Sequence, residues 1–286
     1  MKLLFICIYL YSVNSMAVIF GDDDRVEYYD MPTDIQELSQ ASIALIPKSK
    51  LTKLPDGNFR ASYKSLETLY PMCSDSKFKD QKIISNCSGA LIADDMVLTA
   101  AHCIDGEGTQ RKDYYFVFDY KKESFYSDEL IIKAKNIYEG IKEEYNYFDT
   151  QFKDSIDLAI IKLNRKTTRK PMKLNLSPLS EGDQISILGY PLGVPMKWTG
   201  YGEIKQMRPK ENSFRHELDI FSVNSGSPTL NDRNEIVGVL VRGTGANISQ
   251  KDGAECSDWT RGEKMKDYHE SNVLNPLSET LKRLKI

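Results

Sequence analysis

The chain has 286 residues, with 38 Lys and Arg against 41 Asp and Glu for a formal charge of −3. That balance, with no Lys/Arg cluster interleaved with aromatics along one element, argues against a nucleic-acid partner; the Lys121-Lys122 pair reads as a solvated strand end. The length suits two small domains or one large one, and beyond the amino terminus no segment approaches the eighteen uninterrupted apolar residues of a membrane anchor.

At the amino terminus Lys2 precedes an apolar run from Leu3 to Val13, and the small residues Ser15 and Ala17 flank Met16. This pattern predicts a secretory signal peptide over residues 1–17, too short to anchor in a bilayer, so the expected product is secreted or periplasmic and begins at Val18. Export would remove Cys7 and leave Cys73, Cys87, Cys103 and Cys256. An even set in an exported chain predicts disulfides, and four cysteines allow three pairings. None of them has the two-residue spacing of a zinc site, and Asp22 to Asp24 lack the further oxygen ligands of a calcium loop. Neither a metal nor another cofactor is expected.

From Ala41 onward short apolar stretches recur between turn signals, at 42–46, 90–92, 96–99, 114–118 and 158–163, and their β-branched and aromatic content favours strands. Residues 165–173 are polar and basic, contain Pro171, and read as the connection between a first half, 18–164, and a second, 174–286. In the second half strands are predicted at 184–188, 202–207 and 216–221, and a pair 227–230 and 235–241 is joined by the turn residues 231–234. Pro276 in a first-turn position, with Leu277, Leu281 and Leu284 at helical spacing and basic residues near the end, predicts one closing amphipathic helix. The expected fold is all-β, with the strands arranged as barrels.

Three short segments carry chemistry. Residues 98–103 read Leu-Thr-Ala-Ala-His-Cys, 157–163 read Asp-Leu-Ala-Ile-Ile-Lys-Leu, and 224–228 read Asn-Ser-Gly-Ser-Pro. In kind and order they resemble the chymotrypsin-like serine peptidases, the bacterial glutamyl endopeptidase branch in particular, over roughly residues 18–245. The resemblance is weak between 105 and 150. It implies two packed antiparallel β-barrels with a cleft between them, protein or peptide substrates, and a triad of His102 as base, Asp157 as its orienter and Ser225 as nucleophile. It implies a Cys87–Cys103 bridge beside the histidine, which leaves Cys73 for Cys256. It also implies oxyanion donors at the N–H groups of Val223 and Ser225. The serine elbow of the α/β-hydrolase esterases, Gly-x-Ser-x-Gly, is absent around Ser225. Ser227 is expected to be structural, and Asp154 is the nearest rival to Asp157. Asn224 stands where the trypsin branch has an aspartate that pairs with a newly freed amino terminus, so that route of activation is not expected.

Two departures from the family pattern matter. Val223 replaces a glycine, and a β-branched residue disfavours positive φ, so the peptide before it is expected to turn away and aim a carbonyl at the oxyanion site. A secreted binding protein that keeps the fold without turnover is therefore the alternative reading. In the substrate pocket Ile220 and Leu240 stand where glutamyl endopeptidases have threonine and histidine. Burying a carboxylate against them would be costly, which predicts a preference for uncharged, apolar side chains at the primary cleavage position. The Val18 amine and Arg242 are the remaining groups able to meet a charge there.

Overall fold

The computed structural model describes residues 18–105, 110–122, 129–149, 154–244, 247–263 and 266–286; the predicted signal peptide, 1–17, lies outside them. The longer strands of the main sheet in the first half are β1 (Ser42–Pro47), β2 (Cys87–Ala93), β3 (Met96–Thr99), β4 (Tyr114–Phe118), β5 (Gly140–Phe148) and β6 (Asp157–Leu163). All neighbours are antiparallel, in the order β4-β1-β2-β3-β6-β5. The sheet curls until one stretch of chain meets both of its ends. Ile137–Tyr138 pairs with β4, and β5, one residue later, pairs with β6 along its length. Phe116, Val117, Leu45, Leu91, Ile160 and Ile161 are inaccessible to solvent and belong to one core, so the sheet is covered on both faces.

The second half has β7 (Gln184–Gly189), β8 (Gly202–Arg208), β9 (Ser213–His216), β10 (Pro228–Asn231), β11 (Ile236–Gly243) and β12 (His269–Val273). Their order, β7-β8-β9-β12-β11-β10, closes into a ring because β10 also pairs with β7. The predicted pair at 227–230 and 235–241 is present as β10 and β11, joined at Pro228↔Val239. The strand predicted at 216–221 is not. Pairing with β8 and β12 ends at His216, and the chain then turns inward so that Leu218 and Ile220 join the barrel core.

Residues 172–173 join the halves directly, since the Met172 N–H donates to the Leu91 carbonyl and the Lys173 carbonyl accepts from the Ile236 N–H. The single turn Asn275–Leu277 leads into the C-terminal helix Ser278–Leu284, and Leu277 of the turn and Leu281 of the helix, both buried, pack against the core shared with the first half. Each such leucine contributes about 2 kcal/mol. Among the described residues no helix is long and apolar enough to cross a membrane.

Two buried histidines sit at the β9–β12 pairing. His216 and His269 lie 6.0 Å apart between ring centroids; His216 Nε2 meets Ser271 Oγ at 3.1 Å and His269 Nε2 meets the Val18 carbonyl at 3.4 Å. Burial holds both pKa values down, that of His269 to about 4 against the weaker pull of the Val18 carbonyl and Asp267, and that of His216 well below the usual value with His269 adding to the effect. The unfolded chain therefore binds more protons below its own histidine pKa, and stability should fall as pH drops from about 6.5 to about 4. His269 alone accounts for on the order of 3 kcal/mol. Urea midpoints measured across that window should fall more steeply for the natural chain than for a folded His269→Gln variant.

Candidate active site

His102 follows β3 on a single 3-10 turn, Ala101–Cys103, and the small residues Ala100 and Ala101, both inaccessible to solvent, let that turn sit close against the sheet. The Cys87–Cys103 disulfide ties the turn to the start of β2, and a second disulfide joins Cys73 to Cys256. Asp157 opens β6, which pairs with β3, so the strand register brings the carboxylate to the histidine. One carboxylate oxygen accepts the His102 backbone N–H at 2.9 Å and the other meets His102 Nδ1 at 2.6 Å. Asp157 is 4% exposed at its side chain and His102 28%. A carboxylate in this position favours the tautomer protonated at Nδ1 and leaves the Nε2 lone pair free to act as a base. Burial pushes the imidazole pKa down, but the charge and hydrogen bond of Asp157 outweigh it together with the opposing charge of Arg242, so the net shift is upward. Asp154 is elsewhere occupied: its carboxylate accepts the Ile156 N–H.

Ser225 follows one tight turn of the second half and sits inside a second. The first, Phe221 to Asn224, is closed by the Asn224 N–H on the Phe221 carbonyl at 3.1 Å; the second, Asn224 to Ser227, by the Ser227 N–H on the Asn224 carbonyl at 2.9 Å. Gly226 takes φ +86° in the second turn. The Ser225 carbonyl accepts the Ser88 N–H at 2.8 Å, and Cys103 Sγ lies 3.6 Å from the same oxygen and 3.8 Å from His102 Nε2. The serine loop is thus anchored to the strand and the disulfide that hold the histidine. Ser227 and Asn224 are buried beneath it.

Val223 departs from the expectation drawn from its β-branch. It adopts φ +75°, a region that glycine fills without strain, at the third position of the first turn. The surroundings hold it there. The Ser222 carbonyl accepts the Leu192 N–H at 2.7 Å, the Ser222 N–H donates to Asn247 Oδ1 at 2.9 Å, and the Val223 carbonyl accepts from Ser88 Oγ at 3.1 Å. Because the peptide is trans, a Ser222 carbonyl committed to Leu192 leaves the Val223 N–H facing the opposite way. Such a conformation costs a β-branched residue about 1–3 kcal/mol. Val223→Gly should remove that strain, offset in part by the greater freedom of glycine in the unfolded chain. The variant is expected to gain about 1 kcal/mol in denaturant unfolding and to turn over no more slowly than the natural chain. A folded but slower glycine variant would show that the branched side chain itself locks the turn.

The remaining sequence-predicted residues are placed less simply. Ile220 and Leu240 are 2% and 4% exposed and pack with Ile185, Ile187 and Phe214 in the second core, so neither offers open surface. Arg242 is engaged at both ends, with Nη1 3.2 Å from Glu270 and Nη2 donating to the Ser155 carbonyl at 2.6 Å. Val18 is buried, and the segment it begins is docked behind the serine loop by groups the sequence did not announce. Asp219 accepts the Phe20 and Asp24 N–H groups, each at 2.9 Å, and burial against those bonds raises its pKa to about 6. Arg25, 2% exposed, pairs with Asp23 and lies over the rings of Phe221 and Trp259 at 4.2 and 4.4 Å.

A family model described as a trypsin-like peptidase domain matches residues 87–239, a span that contains His102, Asp157 and Ser225. Among solved structures, the chain is similar to a Glu endopeptidase in complex with MPD, with a TM-score of 0.56 and 17% identity over 94% of this chain and 99% of that one. At that identity the likeness bears on the fold, and the two-barrel architecture inferred from the sequence is the one found.

Proposed function

Because the chain belongs to the trypsin-like peptidase family, we propose that it is an exported serine endopeptidase that cleaves peptide bonds through an acyl-enzyme. The observation that carries the reading is the two-point grip of Asp157 on the backbone and Nδ1 of His102. In the proposed cycle His102 Nε2 takes the Ser225 hydroxyl proton as Oγ attacks the scissile carbonyl carbon. The resulting oxyanion is received by the N–H groups of Ser225 and Val223, and collapse of the tetrahedral intermediate expels the amine with the proton from His102. Water, activated by the same imidazole, then releases the acyl group from Oγ. The commitment of the Ser222 carbonyl to Leu192 supports a donor role for Val223. Export rests on the pattern of residues 1–17, and sequencing the amino terminus of the product should return Val18 first.

Fluorophosphonate labelling tests the reading directly. The natural protein should be labelled at Ser225, and Ser225→Ala should lose both the label and peptide hydrolysis. A folded natural protein that resists the reagent would instead favour a non-catalytic binding role for the same fold. A peptide-library profile of the active protein is expected to favour uncharged, apolar side chains at the primary cleavage position, because Ile220 and Leu240 stand where glutamyl endopeptidases have threonine and histidine and, packed in the second core, offer a substrate carboxylate no donor. Strict cleavage after glutamate would overturn that preference.

A further inference from the structure

The loop that delivers Asp157 does not hold itself. Ser155, two residues earlier, sits at φ +54°, and within the first half the loop is capped by Asp149, whose carboxylate accepts the N–H groups of Asp154 and Ser155 at 2.8 and 2.9 Å. The Asp149 N–H also donates to the Ile156 carbonyl at 2.8 Å, and further support comes from the second half. Asn272 on β12, inaccessible to solvent, accepts the Asp157 N–H on Oδ1 at 2.8 Å. Its Nδ2 donates to the Ser155 carbonyl at 3.1 Å and to the Asn212 carbonyl at 3.3 Å. Asn212 reaches the same loop, donating from Nδ2 to the Asp154 carbonyl at 3.3 Å, and Arg242 on β11 caps the Ser155 carbonyl as well.

We propose that Asn272 is a positioning residue for the reaction, a cross-barrel clamp that fixes the backbone of Asp157 and so the carboxylate that orients His102. The inference rests on the peptidase reading above. Its logic is geometric. His102 and Asp157 belong to one half and Ser225 to the other, so their alignment depends on bonds that cross between halves. The Ser88 N–H on the Ser225 carbonyl is such a bond at the serine end, and Asn272 supplies one at the aspartate end. A side chain that satisfies both the N–H of Asp157 and the carbonyl two residues before it fixes position and direction together. Removing it would leave the buried Asp157 N–H unsatisfied and the Ser155 carbonyl with Arg242 alone, and the loop would relax away from the histidine.

The test combines kinetics with a measurement that needs no turnover. The charged groups acting on His102 are Asp157, which raises its pKa, and Arg242, which lowers it. In Asn272→Ala, kcat per labelled site should fall on the order of a hundredfold with KM little changed, as expected for a small misplacement of reacting groups. NMR titration of isotopically labelled histidine should show the His102 pKa lower by about one unit, because the carboxylate has moved away. Asn272→Ser, which keeps a short donor and acceptor, should fall between alanine and the natural chain in both readouts. A folded alanine variant that loses stability but keeps its His102 pKa and its kcat per labelled site would overturn the proposal and make Asn272 a purely structural residue. If neither variant folds, amide exchange in the natural protein decides: an Asp157 N–H that exchanges as fast as surface amides is not clamped. Failure of the peptidase reading would show separately, as absence of fluorophosphonate labelling in the natural protein, while the histidine titration would still report on the clamp.

Discussion

Asp157→Asn is expected to lower kcat about ten-thousandfold while leaving KM and the fold close to those of the natural chain. Asparagine keeps the size of the side chain and can still accept the His102 backbone N–H, so the turn at Ala101–Cys103 has no reason to move. Its effect falls on the ring. An amide NH2 placed where the second carboxylate oxygen meets Nδ1 at 2.6 Å donates rather than accepts, which favours the tautomer with the proton on Nε2 and removes the base that Ser225 needs. The charge is lost as well. In the natural chain the raised His102 pKa should put the acidic limb of kcat/KM above pH 6.5, because under the proposed mechanism the imidazole must be neutral to accept a proton and Asp157 keeps it protonated to higher pH. In Asp157→Asn that limb should move toward lower pH. A variant with unchanged turnover would remove Asp157 from the mechanism, and one with unchanged pH dependence would show that another group sets the histidine pKa.

The parts of the molecule that were readable in the sequence are those where one short segment encodes both structure and chemistry. β3, β6 and β11 are apolar runs of four to eight residues buried on both faces, which is why their continuous apolar character marks them. β5 escaped because Lys142, Glu143, Glu144 and Asn146 interrupt any alternation, and its two register shifts against β6 destroy the two-residue period. The local sequences of His102, Asp157 and Ser225 singled them out, and the fold brings the first two together. Asn272, Asn212 and Asp219 were not legible, since each acts through a backbone group distant in sequence, and an asparagine or aspartate that satisfies a remote backbone group has no local signature. Val223 shows the opposite limit. Its intrinsic preference was read correctly and is overridden, because bonds at Leu192, Asn247 and Ser88 fix the turn around it.

Gly226→Ala should be among the most damaging single substitutions in the chain, although it adds only one methyl group. Gly226 adopts φ +86°, where a Cβ is strained, and the added atom would overlap the Ser88 carbonyl oxygen and Thr99 Oγ1 and lie 3.1 Å from the Ala100 nitrogen. None of these neighbours has room to yield. Ser88 is buried in β2, its carbonyl accepts Thr99 Oγ1 at 2.7 Å, and its N–H holds the Ser225 carbonyl. Ala100 leads directly into the turn that carries His102. Relief must therefore come from the serine loop, moving Ser225 away from the histidine. Backbone strain and overpacking together should destabilise by about 2–4 kcal/mol, and a displacement of this kind should slow fluorophosphonate labelling on the order of a hundredfold. Gly57→Ala provides the control. Its φ is +88°, but a Cβ there meets nothing within 4 Å, so it should cost about 1 kcal/mol with labelling unchanged. If the two alanine variants proved equally stable and equally reactive, the close packing of the serine loop against the histidine turn would be wrong, and with it the geometric basis for placing Ser225 beside His102.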